Sequence, residues 1–232
     1  MSGHLAAQEP SNTVSGLSFD NPKFSKASGF TFFGDGDQLA DVIDDKQLGI
    51  RALNVEVVRL EQHKVTAHEL NSLSSLPKLR TLILGQSPDP IELEADAVAA
   101  LERFTSLEAL EVHAVVKPAT SWKCIGALVS LKSLEISGTF VLEEGDLNAI
   151  SELKSLVTLE LDAVLHTSQF DWLSKLKRLE TLRLQDETIS SAVFGALAQM
   201  TELKCIMLFT RNASPKEEEE RKADGATHQA ER

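Results

Sequence analysis

Leu131-Lys132-Ser133-Leu134-Glu135-Ile136 decides how the rest of the chain is read. It has the form L-x-x-L-x-L, and the same spacing returns on both sides. Toward the N-terminus it stands at Leu79, Leu82, Leu84 and at Leu107, Leu110, Val112. Toward the C-terminus it stands at Leu156, Leu159, Leu161, at Leu179, Leu182, Leu184 and at Leu203, Ile206, Leu208. Val55, Val58 and Leu60 make a weaker first copy. Successive copies lie 24, 28, 24, 25, 23 and 24 residues apart. A fixed period in this range marks a stacked repeat.

Aligning the copies on their first leucine exposes further columns. Nine residues upstream stand Leu70, Val98, Trp122, Leu147, Phe170 and Phe194. Six upstream stand Leu73, Leu101, Ile125, Ile150, Leu173 and Leu197, and three upstream stand Leu76, Phe104, Leu128, Leu153, Leu176 and Met200. Fourteen upstream come Val65, Leu93, Lys117, Leu142, Leu165 and Ile189, where Lys117 alone is polar. Alternation at the fourth and sixth positions puts both side chains on one face of a strand. Steps of three upstream fit a short helix or 3₁₀ turn whose apolar stripe faces that strand. One such unit cannot bury its apolar side alone, whereas a stack can.

These columns resemble the leucine-rich-repeat family over about residues 50–211. The ninth position, where that family often carries Asn, holds Ser87, Val115, Thr139, Val164, Glu187 and Arg211. The resemblance implies a right-handed curved α/β solenoid, with about seven parallel strands on its concave side and short helices outside. It also implies protein–protein recognition through the concave sheet.

Outside the repeats the composition changes. Residues 1–18, rich in Ser, Gly, Asn and Gln, read as a disordered tail. Phe19, Phe24, Phe30, Phe32 and Phe33 supply five of the ten phenylalanines, which fits a cap over residues 19–49. Gly34-Asp35-Gly36-Asp37 reads as a plain turn before a short helix at Gln38–Ile43, since the Asp and Glu that complete a calcium loop are missing. Residues 212–232, with every residue from Lys216 to Lys222 charged, read as a solvated tail.

The net charge of −12 argues against a general binder of nucleic acid or anionic membrane and suits a basic protein partner. Cys124 and Cys205 fall three repeats apart, roughly 15 Å at ~4.8 Å per strand, which is beyond disulfide reach. No signal-peptide h-region, membrane-length apolar run or lipidation motif is visible, so a cytoplasmic setting is expected.

The strand positions expected to point away from the core are the third, fifth, seventh and eighth. The fifth reads Arg59, Ile83, Glu111, Glu135, Glu160, Arg183, Met207, and the seventh reads Glu61, Gly85, His113, Ser137, Asp162, Gln185, Phe209. Glu111, Glu135 and Glu160 would stand side by side, where like charges destabilise a sheet. An acidic groove that takes Lys or Arg from a partner explains them, as does a plain solvated face. Asp162 and His113 belong to the same surface, with Arg59 and Arg183 flanking it. Met207 and Phe209 are apolar side chains at outward positions of the last strand, so a scaffold associating through this edge is the second reading. Alternatively, residues 212–216 cap the edge locally.

Paired carboxylates also suit a carboxylate-based hydrolase of the glycosidase kind, the third reading, but no aromatic stands beside them to stack a sugar, so no catalytic role is assigned. No cofactor is expected. A metal site through His113, Glu135 and Glu160 is not assigned either, because no ligand pair has a characteristic spacing. Trp122 reads as core and Trp172 as half exposed, and both cysteines read as unreactive thiols.

Overall fold

Each repeat from Val55 to Leu184 turns its first, fourth and sixth residues inward, and the sheet is built on that pattern. The computed structural model describes residues 17–18, 29–32, 54–61, 64–86, 89–117, 120–166, 170–186 and 192–210. The expected turn at Gly34–Asp37, the helix at Gln38–Ile43, most of the cap and the charged tail lie outside these residues. The main strands are β3 (Val57–Leu60), β5 (Thr81–Leu84), β7 (Ala109–Val116), β8 (Ser133–Glu143), β9 (Thr158–His166), β10 (Thr181–Asp186) and β11 (Cys205–Thr210). They are parallel and hydrogen-bonded in that order. Two further strands extend the sheet. β2 (Gly29–Phe32) pairs in parallel with β3, and β1 (Leu17–Ser18), at the end of the segment expected to be disordered, pairs antiparallel with β2.

The register equals the sequence alignment. Val58, Leu82, Leu110, Leu134, Leu159, Leu182 and Ile206 are successive cross-strand partners. At each junction one carbonyl accepts two amides of the next repeat. Glu108 O takes Lys132 N at 2.8 Å and Ser133 N at 3.0 Å, and Lys132 O takes Val157 N and Thr158 N in the same way.

On the outer side lie α1 (Ala67–Leu73), α2 (Ala95–Ala100), α3 (Glu144–Ile150) and α4 (Ala192–Leu197), together with 3₁₀ turns at Leu101–Arg103, Lys123–Ala127 and Asp171–Lys175. The steps of three have a direct cause. Leu128 N donates to Ile125 O at 3.0 Å and Leu131 N to Leu128 O at 2.9 Å, and the same pair of i→i−3 bonds recurs in the other repeats. Side chains three apart eclipse in such turns, so one apolar stripe faces the sheet. Thr66 caps α1: its backbone N–H donates to Glu69 Oε2 at 2.7 Å, and its Oγ1 accepts from Glu69 N at 3.4 Å. Asp146 of α3 is buried and reaches across to the preceding repeat, where it accepts Trp122 N at 2.8 Å and Ser121 Oγ at 3.1 Å.

The core is continuous from Val55 to Met200. Four expectations need correction. Ala114 and Ala163, at the eighth position, point inward, because β7 and β9 keep alternating beyond the seventh residue. They run on into a second short ladder with β4 (Lys64–Val65) and β6 (Ile91–Leu93), continued by the ends of β8 and β9. In that ladder Leu93 pairs with Val116, so Val116 and not Lys117 fills the column, one extra residue preceding Trp122. Trp172 is buried rather than half exposed, while Phe194, in an apolar column, is 61% exposed.

The bend between the two ladders falls at Gly138. Its φ is +150°, and a Cβ there would lie 1.8 Å from the carbonyl oxygen of Ala114. The β8–β9 register is irregular between Ser137 and Val141. Only glycine fits this approach.

Candidate functional site

The fifth-position column is continuous. Arg59, Ile83, Glu111, Glu135, Glu160, Arg183 and Met207 are partners in turn across β3, β5 and β7 to β11. The seventh-position column beside it runs His113, Ser137, Asp162, Gln185, Phe209. Adjacent parallel strands stand ~4.8 Å apart, so these side chains share one patch of the sheet face.

The patch has an ordered interior. His113 Nδ1 is hydrogen-bonded to Ser137 Oγ on the next strand, and its Nε2 lies 3.6 Å from Glu135 Oε1. One donor atom from each of Glu111, His113 and Glu135 falls within 4.8 Å of the other two. Arg183 Nη1 donates to Glu160 Oε2 at 3.4 Å, and the Arg183 guanidinium lies 5.3 Å from the centre of the Phe209 ring. Arg59 pairs with Glu61 at 3.5 Å. Between Arg59 and Glu111 stands Ile83, which is buried although it belongs to an outward column.

Burial and neighbouring charge set the protonation of the centre. Burial first, then the Glu160 and Glu111 carboxylates, push the Glu135 carboxyl above the usual range, with Arg183 opposing. The His113 imidazole is held below its ordinary value, mainly by burial, with Glu111 opposing and Arg59 assisting. His113 is therefore neutral at neutral pH, and its contact with Glu135 is not an ion pair.

His113, Glu135, Ser137, Glu160, Asp162 and Arg183 line a pocket of about 150 Å³. Six residues singled out in the sequence thus come together: Glu111, His113, Glu135, Glu160, Asp162 and Arg183. Arg59 stands apart beyond Ile83. Met207 and Phe209 lie on β11 at the far edge, Met207 half-buried and Phe209 44% exposed, with Ile206 beside them 47% exposed. Sequence reasoning passed over Ser137 and the Glu61 partner of Arg59. Both lie in the seventh-position column, and their proximity to charged residues was the available signal.

A stack of this kind defines a class, the repeat solenoid built on one parallel sheet. One solved structure carries the definition of the fold further. The chain is similar to an internalin from Listeria monocytogenes with a TM-score of 0.50 and 18% identity, over 75% of this chain and 54% of that one. It is also similar to a leucine-rich-repeat protein of Leptospira interrogans (TM-score 0.47, 20% identity, 73% of this chain and 47% of that one). A second Listeria internalin gives a TM-score of 0.49 at 16% identity, over 78% of this chain and 80% of that one. The chain spans about half the length of the first two, 54% and 47%. No family model matches the chain, and comparison with curated proteins gives no match. Its fold is the leucine-rich-repeat solenoid.

Proposed function

We propose that this protein is a protein-binding module whose concave sheet receives a basic segment of a partner. The observation that carries the reading is the in-register row Glu111, Glu135, Glu160 on three adjacent strands. A sheet gains nothing from three like charges side by side. A lysine or arginine entering the groove removes that repulsion, and complementary charge of this kind speeds association and selects partners. Asp162 widens the acidic surface, while Arg183, already bound to Glu160, borders it.

The reading is tested by replacing Glu111, Glu135 and Glu160 with Lys. Binding of a fluorescent lysine-rich peptide, and capture of basic proteins in a quantitative pull-down, are lost in the triple variant, while its circular dichroism spectrum is unchanged. Equal binding by both forms removes the proposal.

A second reading rests on β11. Among the described residues no strand pairs its outer edge, and Ile206 and Phe209 are substantially exposed there. Such an edge suits association with a second copy of the chain. The hydrolase reading is weakened by size, because a pocket of about 150 Å³ is well below the ~300 Å³ at which small-molecule sites usually begin.

A further inference from the structure

We infer that Glu111, His113 and Glu135 form a binding site for a divalent transition-metal ion of the zinc type. The three donor atoms converge from two neighbouring strands to within 4.8 Å of one another. Metal–ligand bonds of ~2.0–2.2 Å in a tetrahedron place neighbouring ligand atoms roughly 3.4 Å apart. His113 Nε2 and Glu135 Oε1 stand 3.6 Å apart, close to such an edge.

The second support is the orientation of the imidazole. Metal-binding histidines commonly donate their other ring N–H to an oxygen, which fixes the ring and its tautomer. His113 Nδ1 has such a partner in Ser137 Oγ. In the tautomer that donates there, Nε2 carries its lone pair beside Glu135 Oε1.

The third support is charge balance. The nearby arginines are engaged elsewhere, Arg59 with Glu61 and Arg183 with Glu160. Among the described residues no cationic side chain pairs with Glu111. One nitrogen and two carboxylate oxygens make a donor set that zinc accepts, whereas calcium and magnesium prefer oxygen alone. A fourth coordination position would remain open toward the groove. The inference does not depend on the partner reading, since it concerns the chain by itself.

The test is calorimetric titration of the full, chelator-treated chain with zinc chloride. The expected result is one saturable site that His113→Gln and Glu135→Gln each weaken at least about tenfold, with His68→Gln and Cys205→Ser as controls that leave it unchanged. Cobalt(II) substituted into the unmodified protein provides a reading that does not depend on the variants folding. Its visible d–d bands should show nitrogen and oxygen ligation, and its near-ultraviolet spectrum should lack a thiolate charge-transfer band. The inference is overturned by no saturable zinc binding, by equal affinity in the His113 and Glu135 variants, or by a thiolate band.

Discussion

Single residues in this chain differ in behaviour because the stack buries some and leaves their counterparts open. The cysteines illustrate it. Cys124 packs against the core and its Sγ lies 3.1 Å from Val98 O. Burial pushes its thiol up to about 12, so at about pH 8 it carries almost no thiolate, the reactive form. Cys205, at the start of β11, is exposed. Iodoacetamide at about pH 8 should therefore modify Cys205 and spare Cys124, as read by mass spectrometry of tryptic peptides. Equal modification of both would mean that the Cys124 side chain is not held where it is described. The sequence identified both as thiols without an activating neighbour, but could not separate them. Their difference lies in burial by residues far away along the chain.

At the scale of elements, β8 is where local geometry is most demanding. Gly138 lets it bend from the main ladder into the short one. An alanine at this position would combine an unfavourable φ with a clash against the Ala114 carbonyl. Gly138→Ala should cost about 1–3 kcal/mol, measured as a lower midpoint of urea denaturation. An unchanged midpoint would refute the account of the bend. The strands themselves were legible because inward positions recur with a strict period, and the hydrogen-bonded register repeats that alignment strand for strand. The bend was not, because a glycine at the eighth position has the same letter whether it turns a loop or lets two backbones meet. Trp172 was misread for a related reason. It falls beside an apolar column, and the 3₁₀ turn at Asp171–Lys175 swings it inward. The site was legible in part. Arithmetic placed the glutamates in one row, but the convergence of Glu111, His113 and Glu135 depends on side-chain directions that spacing does not specify.

For the whole molecule, the two ends of the sheet are unequal. The N-terminal side gains β1 and β2, whereas β11 has no further strand among the described residues. Ile206 occupies a position that is core in every earlier copy, yet on β11 it is exposed. If copies associate through this edge, light scattering should show a mass that rises with concentration, and Ile206→Lys with Phe209→Lys should hold the protein monomeric. A constant monomer mass in the unmodified protein would end the second functional reading.

The stack also raises a question of assembly order. Leucine meets leucine at almost every joint, so on apolar contacts alone neighbouring repeats resemble interchangeable parts. The joint bridged by Asp146 is keyed. Its carboxylate needs the amide of Trp122 and the hydroxyl of Ser121, and no other unit offers both. Copying or excising a unit at this point would leave the buried Asp146 carboxyl with the Glu143 amide of its own helix and without its two partners in the preceding repeat. In its evolution, therefore, the chain could change length more readily toward either end than through its middle, where the acidic row is also carried.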